Sequence, residues 1–451
     1  MIYRQDTIAA IATAPGNGGI GIIRMSGPEA EAILEKVFVP AGNQTFPLDS
    51  HKLVYGHLSD GQDNVDECMA VIMRAPRSYT REDVAEIQLH GGTYVVSRAL
   101  AVCLDRGARL AEAGEFTRRA FLNGRVDLSR AEAVMNLITA RGEQEHKAAV
   151  RQLNGGASAF IRSFADELAD LQAGLAACID YPDEITDEEG TGILRTGLEK
   201  LVARLENSID EHASRLIHQG LQVAIIGRPN VGKSSILNAL LGEDRAIVTD
   251  IPGTTRDTVR GEMTVHGIRV MLTDTAGIHE TQDPVEKIGV ERSEQARQQA
   301  DAVMLVLDGS GQLTETDRDL LLRLGSDGAV VINKTDLPQK LDEEEIRRIH
   351  PGIRCITVCA RNPESLKPLV EWIGKFTEVS DRMALTQPRH LDAARRAAGH
   401  MKEALRTLEK YTPDVAATDL QAAQASLSEI TGESADEKLL DRVFSRFCVG
   451  K

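Results

Sequence analysis

One short run, from Gly227 to Ser234, constrains the fold of this 451-residue chain more than any other feature. It reads GRPNVGKS and fits the pattern G-x-x-x-x-G-K-S/T, between an apolar β-like run at Val223–Ile226 and a helical run at Ser235–Leu241. A glycine-rich turn from a strand into a helix directs several backbone N–H groups at one point, where they can surround phosphate. The run therefore predicts a phosphate-binding loop.

Around this loop, apolar β-like runs alternate with helical stretches between residues 221 and 376. These runs are Val223–Ile226, Val270–Thr273, Val303–Leu307, Ala329–Ile332 and Cys355–Val358. The alternation is typical of a mostly parallel α/β sheet with helices on both faces. A tight turn at His266–Gly267 predicts a hairpin, and therefore one antiparallel edge strand.

The side chains in and near the loop have distinct expected roles. Lys233 is expected to reach the β- and γ-phosphates, while the Ser234 hydroxyl holds Mg²⁺. Asp274, which ends the hairpin, is placed to hold Mg²⁺ through water, and the N–H of Gly277 to contact the γ-phosphate. Thr255, in the run GTTRD, is the expected second magnesium ligand. Further predicted nucleotide contacts are Asn230, Val231, Gly232, Ser235, Thr275 and Ala276.

The base of the nucleotide is predicted by the run Asn333-Lys334-Thr335-Asp336 after the strand at Ala329–Ile332. A carboxylate at Asp336 can accept hydrogen bonds from guanine N1 and N2, whereas adenine offers no such donor pair. We therefore expect Asn333, Lys334 and Asp336 to bind GTP. The turn Cys359-Ala360-Arg361 stands where such domains carry Ser-Ala-Lys, which keeps the main-chain contact with guanine O6 available and leaves the side-chain contact open.

The water-positioning residue is not where Ras-like proteins carry it. Ile278 follows Gly277 in place of the usual Gln, and its side chain cannot orient water. The acidic stretch from residue 279 to 286 offers candidates instead. The alternative, in which Glu280 and Asp283 belong to a solvated loop, stays open from these residues alone.

Composition limits the function classes. The net charge of −16 opposes a generic nucleic-acid coat, so RNA contact must be local or supplied by a partner. No apolar run approaches the roughly 20 residues of a membrane helix, and the start MIYRQDTIAA lacks a secretory signal, so we expect a cytoplasmic protein without membrane contact. Six scattered cysteines argue against zinc or disulfides, and Cys355 and Cys359 are expected to be packed.

The remainder of the chain divides into an α+β start and helical flanks. The first 120 or so residues contain β-like runs at Gly21–Met25 and Val84–Leu89 with two modest helical patterns. Helical periodicity then begins near Ser129 and resumes from Leu391, which predicts one helical domain with the nucleotide domain inserted into it. Ser434 with Glu437 has capping-box spacing and predicts the start of the last helix.

Several motifs outside the nucleotide domain resemble those of the MnmE (TrmE) family of tRNA modification GTPases. They are Asp6–Ala10, Gly18–Gly27, Gly114–Thr117, Ala120–Gly124 and Phe447–Lys451. The resemblance covers essentially the whole chain. It implies a multidomain α+β and α/β protein. Residues 1–120 would form an N-terminal α+β domain that binds tetrahydrofolate and dimerises, and residues 220–377 would form an inserted Ras-like P-loop G domain of the TrmE type. The helical domain would consist of two parts, residues 121–219 and residues 378–451, and the second part would carry a C-terminal Cys motif.

The resemblance also implies a reaction and its partners. Family members form a homodimer and work with the flavoprotein MnmG (GidA), in a heterotetramer, on tRNA. They add a carboxymethylaminomethyl or related aminomethyl group to C5 of the wobble uridine, position 34. A 5-formyl- or 5,10-methylene-tetrahydrofolate supplies the one-carbon unit, and K⁺ activates GTP hydrolysis.

Carried over by position, the resemblance assigns further site residues. Potassium ligands would be the Asn230 side chain, the Thr249 and Ile251 carbonyls, and Thr254. GTP contacts would extend through Asp250, Pro252 and Gly253, with Glu286 orienting the attacking water. Folate contacts would be Arg24, Glu86, Arg125 and Lys451, and the terminus that carries Cys448 would point toward the folate pocket. From the residues alone Cys448 could instead be a buried structural cysteine. Because the neighbouring Arg446 and Lys451 favour a reactive thiolate, we predict that Cys448 acts in the modification chemistry.

Two other functions remain open at this stage. A ribosome-assembly GTPase switch would need an RNA-binding appendage, and neither a KH-type module nor a basic extension is visible. A scaffold whose nucleotide state opens and closes a dimer around a partner enzyme overlaps with the family function, because folate and flavin can carry all the chemistry.

Overall fold

The computed structural model describes residues 6–180, 187–242, 260–274, 300–379, 385–410 and 413–451. The chain forms two compact units. The first unit comprises Met1–Ile138, Arg151–Ala203 and Arg396–Lys451, and the second unit comprises Thr139–Val150 and Arg204–Arg395. None of the helices in these described ranges combines the length and apolarity that crossing a bilayer requires.

The elements follow one another along the chain in a set order. They are β1 (Ile8–Ile11), β2 (Ile20–Ser26), α1 (Ala30–Val37), β3 (Phe38–Pro40), β4 (Val54–Ser59), β5 (Asn64–Met73), β6 (Val84–His90), α2 (Thr93–Asp105), β7 (Arg109–Leu110), α3 (Glu115–Leu122), α4 (Leu128–Thr139), α5 (Glu143–Leu153), α6 (Gly156–Asp180), α7 (Asp187–Asn207), α8 (Glu211–Gln219), β8 (Leu221–Ile226), α9 (Lys233–Gly242), β9 (Arg260–Val265), β10 (Ile268–Asp274), β11 (Ala302–Asp308), α10 (Glu315–Leu322), β12 (Gly328–Asn333), α11 (Glu343–Ile349), β13 (Arg354–Thr357), α12 (Lys367–Gly374), α13 (Pro388–Lys410), α14 (Pro413–Thr431) and α15 (Glu437–Phe444).

A seven-stranded sheet organises the start of the first unit, in the order β3-β4-β5-β6-β2-β1-β7. Neighbouring strands are antiparallel except β1 and β7. Alternate apolar side chains of β2, β5 and β6 pack with α1 and α2 in one core. Because side chains alternate along a strand, the residues between them, including Arg24 and Glu86, lie on the other face.

The helices of the first unit come from both sides of the nucleotide region. Helix α6 packs along α14, although more than 200 residues of chain separate them. Within the same unit Arg396 of α13 forms an ion pair with Glu429 of α14, at 2.8 Å between Nη2 and Oε2. The predicted fold class, a helical domain interrupted by an inserted α/β domain, is confirmed.

A six-stranded sheet forms the centre of the second unit, in the order β13-β12-β11-β8-β10-β9. Its strands are parallel except for β9, which pairs antiparallel with β10 at the edge. Separate apolar cores lie against the sheet, as expected for strands buried on both faces. The predicted α/β sheet and its antiparallel edge hairpin are therefore confirmed.

The predicted cap of the last helix is wrong. Helix α15 begins at Glu437, and its N-cap is Asp436, whose side chain accepts a hydrogen bond from the Leu439 N–H at 2.7 Å. Ser434 instead donates its hydroxyl to the Ala425 carbonyl. A carboxylate directly before the first helical residue satisfies a free N–H there, which leaves no cap position for the earlier serine.

Candidate functional site

The phosphate loop follows β8 and takes a backbone path that favours glycine. Gly227 and Gly232 have φ of +143° and +99°, and Asn230 adopts +62°. A Cβ on Gly232 would lie 2.2 Å from the Nδ2 of Asn333, so no side chain fits there. The loop ends where α9 begins at Lys233, and the helix N-terminus therefore faces the loop.

Lys233 is buried beneath this loop. Its Nζ donates to the carbonyl oxygens of Gly227 and Arg228, at 2.9 and 2.7 Å. Burial lowers the pKa of the Lys233 ammonium, and the Asp274 carboxylate opposes that change. The loop thus holds a cation against its own carbonyls, at the place where phosphate oxygens would accept the same hydrogen bonds.

Two side chains with oxygen atoms that can bind a metal ion lie in contact beside the loop. The Ser234 hydroxyl donates to Oδ2 of Asp274 at 2.7 Å, and Asp274 is fully buried at the end of β10. Hydroxyl and carboxylate oxygens are ligands that Mg²⁺ prefers. The pair therefore fits the predicted magnesium site.

Asn333 joins the phosphate loop to the loop that follows β13. Its Nδ2 donates to the Val231 carbonyl at 3.0 Å, and its Oδ1 accepts from the Ala360 N–H at 3.2 Å. The residue is 3% exposed, so these contacts occupy a buried amide. Its side chain connects two loops of the site rather than lying free at the surface.

Ion pairs surround the predicted base-binding residues. Lys334 Nζ donates to Oδ2 of Asp308 at 2.6 Å, and although burial acts to raise the pKa of Asp308, hydrogen bonds from Lys334 and Ser310 hold it below its usual value. Asp336 Oδ2 accepts from Arg361 Nη1 at 3.3 Å. Arg361 therefore contacts the carboxylate that is predicted to recognise guanine. Burial raises the pKa of the half-buried Cys355 thiol nearby on β13, in keeping with a packed cysteine.

Part of the predicted nucleotide site lies outside the described residues. This part comprises Thr249, Asp250, Ile251, Pro252, Gly253, Thr254, Thr255, Thr275, Ala276, Gly277 and Glu286. The described part brings the phosphate loop, Asp274 and the base-binding loops to the carboxyl ends of neighbouring parallel strands.

A second group of predicted residues meets in the first unit. Arg24 and Glu86 are directly opposite each other on β2 and β6, with Nε and Oε1 2.8 Å apart and side chains 17% and 15% exposed. The Arg24 guanidinium carbon lies 5.4 Å from the Tyr79 ring centroid and 5.9 Å from that of Phe116. Arg125 lies over the same Tyr79 ring at 4.8 Å.

The segment around Cys448 reaches this group of residues. Val449 forms a bridge with Ala113, and a Cβ on Gly450, which has φ of +95°, would lie 2.3 Å from the Ile11 carbonyl. Ile11 ends β1, one residue after Ala10, which pairs with Arg24. Cys448 itself is exposed, and Lys451 donates its N–H to the Cys448 carbonyl at 3.3 Å. The structure therefore brings residues 448–451 close to β1, the strand that pairs with the Arg24 strand β2.

Sequence reasoning missed the charged network that fixes α3 to the sheet. Arg119, only 4% exposed, donates to Asp6 and Glu115, and Arg109 donates to both of these carboxylates. Burial acts to raise the pKa of Glu115, yet hydrogen bonds from Arg109 and Arg119 keep it below its usual value. Asp6 and Glu115 lie within the motifs Asp6–Ala10 and Gly114–Thr117, and their carboxylates were the only sequence signal that an arginine could pair with them.

Comparison with known proteins decides the family. Residues 7–125 match the family model described as GTP-binding protein TrmE N-terminus, and residues 128–448 match that of the MnmE helical domain. The tRNA modification GTPase MnmE of Heliobacterium modesticaldum is 44% identical over 99% of this chain and 99% of its own. This chain belongs to the MnmE family of tRNA modification GTPases. The MnmE proteins of Bacillus velezensis and Bacillus subtilis, at 43% and 42% identity, each cover 99% of this chain along 100% of their own.

Membership of the MnmE family agrees with both groups of residues. The TrmE N-terminus match contains Arg24, Glu86 and Arg125, while the helical-domain match spans the phosphate loop and Cys448. The protein is thus a GTP hydrolase of the tRNA-modification class.

Proposed function

We propose that this MnmE-family protein is a potassium-activated GTPase that acts with the flavoprotein MnmG (GidA) on certain tRNAs. Together they add a carboxymethylaminomethyl or aminomethyl group to C5 of the wobble uridine, position 34, with a one-carbon unit from 5-formyl- or 5,10-methylene-tetrahydrofolate. The working form is a cytoplasmic homodimer that joins MnmG in a heterotetramer. One observation carries the proposal: a guanine-type phosphate-loop site and a separate Arg24–Glu86 site beside Cys448 belong to one chain.

In the nucleotide site, the chain binds GTP and positions water. Lys233 exchanges its carbonyl partners for phosphate oxygens, and Asp336 exchanges Arg361 for the guanine edge. Ser234 and Thr255 hold Mg²⁺, which neutralises phosphate charge when bound. Glu286, assigned by family position, orients the water that attacks the γ-phosphorus, so that the bond to the β–γ bridging oxygen breaks and GDP and phosphate form.

The potassium part of the proposal starts from Asn230. This residue is exposed at the tip of the phosphate loop, and its amide makes no hydrogen bond within the described ranges. Asn230 would hold K⁺ with the carbonyls of Thr249 and Ile251 and with Thr254. A bound cation supplies positive charge near the transferring phosphate, as an arginine would.

The chemistry of the second site fits a reduced folate. Within the described chain, one carboxylate oxygen of Glu86 binds Arg24 and the other has no partner, so it can accept from the amide-like edge of a pterin. Arg125 and Lys451 provide cations for the glutamate carboxylates. Cys448, exposed beside this site, takes part in the modification chemistry rather than in GTP hydrolysis.

Mass spectrometry of tRNA nucleosides tests the proposed function. Cells lacking the protein should lose the modified wobble uridine, and the wild-type chain should restore it. Cys448→Ser should fold, dimerise and hydrolyse GTP normally yet fail to restore the nucleoside, whereas the matched Cys355→Ser variant should restore it. Unchanged wobble uridine in the deficient cells would refute the tRNA reaction, and restoration by Cys448→Ser would exclude Cys448 from the modification chemistry.

A further inference from the structure

Tyr79 lies between two cations of the second site, and no function has so far been assigned to it. The residue follows β5 in the loop that leads to β6. The guanidinium carbons of Arg24 and Arg125 lie 5.4 and 4.8 Å from its ring centroid. Its hydroxyl shares a 2.9 Å hydrogen bond with the buried Thr117 hydroxyl on α3, which fixes the ring in place.

The two arginines differ in what else holds them. Arg24 forms an ion pair with Glu86 at 2.8 Å and is mostly buried. Arg125 is exposed, and no carboxylate in the described part of the chain contacts it. The electron-rich face of Tyr79 attracts a guanidinium, so the ring is the group that orients the Arg125 side chain.

The charges around Tyr79 leave one cation uncompensated. Arg24 and Glu86 neutralise each other, while Arg125 adds a positive charge beside them. An anionic ligand group beside Arg125 would compensate this remaining positive charge. The arrangement therefore favours a ligand with a negatively charged end.

Packing fixes Tyr79 from two sides. Its ring packs against one cluster that contains Ala10 and Phe116 and against another that contains Phe444 and Phe447. Phe447 directly precedes Cys448 in the chain. Tyr79 thus packs both against the cluster that includes Ala10 of β1 and against the cluster that includes Phe447, the residue before Cys448.

We propose that Tyr79 is a positioning residue of the folate site, which holds the Arg125 guanidinium where the carboxylate end of a reduced folate binds. The inference rests on the proposed folate binding. Tyr79 acts through Arg125, so its effect should disappear when Arg125 is removed. The hydroxyl of Tyr79 contributes only by fixing the ring, because the attraction comes from the π face.

Calorimetry with 5-formyltetrahydrofolate on the full-length protein tests this role. Tyr79→Leu and Tyr79→Met should each weaken binding about tenfold, equivalent to about 1.4 kcal/mol. Tyr79→Phe keeps the ring and should stay close to wild type. Tyr94→Leu is the matched control, because Tyr94 is 81% exposed on α2 and should leave binding unchanged.

A double-mutant cycle separates positioning from general stability. In an Arg125→Ala background, Tyr79→Leu or Tyr79→Met should cause no further loss of affinity. Losses that add in full, or wild-type affinity in the Leu and Met variants, would overturn the role of Tyr79 while leaving folate binding intact. If Tyr79→Leu does not fold, the Met and Phe variants decide the same question. Failure of the wild-type protein to bind the folate would instead overturn the proposed function itself.

Discussion

The two candidate sites of this protein are built in different ways. The nucleotide site is assembled from short runs of consecutive residues at the ends of neighbouring parallel strands, such as the loop from Gly227 to Ser234 and the run from Asn333 to Asp336. The second site is assembled from single side chains that are far apart in sequence, among them Arg24, Arg125 and Cys448. A local run reveals its chemistry in the sequence, whereas scattered side chains require the fold.

The difference has an energetic counterpart. In the nucleotide site, backbone N–H groups and the loop conformation are expected to provide most of the phosphate binding, so binding should depend mainly on a few glycine and lysine positions. Ion pairs and aromatic contacts build the second site, and their strength depends on burial and on the position of each partner. Substitutions should therefore affect the two sites separately.

The largest separation is expected for Lys233→Ala. Removing the cation that is proposed to bind the phosphates should lower kcat/KM for GTP by about 10³-fold, the upper range for losing one charge-stabilising group. Binding of 5-formyltetrahydrofolate should stay at the wild-type level. Steady-state GTP turnover and calorimetry check the two sites in one preparation, and a parallel loss of folate binding would contradict the separation.

A smaller effect is expected for Glu286→Ala. This variant tests whether Glu286 positions the attacking water in place of the Gln that Ras-like proteins carry at the position of Ile278. Turnover should slow by about 10²-fold, the lower range for a positioned polar catalytic group, while nucleotide affinity stays near wild type. Single-turnover kinetics and nucleotide titration distinguish the two quantities. Weaker affinity at unchanged kcat would assign Glu286 to binding.

The two units should also respond differently to acid. In the second unit, burial lowers the pKa of His218 to about 4 although a hydrogen bond with the Thr386 backbone opposes this, and His390 and Arg269 lower it further. Because this histidine binds a proton more readily in the unfolded state, the free energy of unfolding should decrease as pH falls from about 6.5 to 4. The decrease should be about 2 kcal/mol after allowance for partial exposure. His218→Gln should remove this loss.

The first unit should resist the same change in pH. Arg109 and Arg119 hold the pKa of Glu115 below its usual value against the effect of burial, so that contribution is fully present above about pH 4.5 and is lost only as pH falls further. Thermal unfolding between pH 7 and 4.5 should show the second unit weakening before the first. Simultaneous weakening in both wild type and His218→Gln would disprove the assignment.

The smallest expected effect concerns potassium. Asn230→Ala removes one proposed oxygen ligand of K⁺, which should raise the K⁺ concentration for half-maximal GTP turnover about tenfold, equivalent to about 1.4 kcal/mol. Turnover measured across K⁺ and Na⁺ titrations checks this. Equal wild-type rates in the two salts, or an unchanged K⁺ response in the variant, would exclude the cation site.

Much of the nucleotide unit was predictable because its signals are local. The apolar runs, the hairpin turn and the phosphate loop each fix structure within a few residues, and the antiparallel edge strand followed from the His266–Gly267 turn. In the first unit, strands β4 and β5 were not predicted, although their buried positions alternate with polar or exposed residues such as His57 and Glu67, a pattern typical of a half-buried strand.

The second site was named by family position, but its geometry was not predictable from the residues. Nothing in the sequence indicates that Tyr79 lies near both Arg24 and Arg125, because those contacts arise only when β2, α3 and the loop before β6 are brought together. The last helix shows a similar limit at smaller scale. Ser434 and Asp436 are both acceptable caps, and the structure uses the one directly before the first turn.

The single amide of Asn333 has a consequence for how the nucleotide leaves. This amide donates to Val231 in the phosphate loop and accepts from Ala360 in the turn predicted to contact the base, so the two loops are coupled through one side chain. A displacement of either loop should therefore disturb the other. Dissociation of guanine nucleotide should therefore be a single concerted event with one rate, without a stage in which the base has left and the phosphates remain bound.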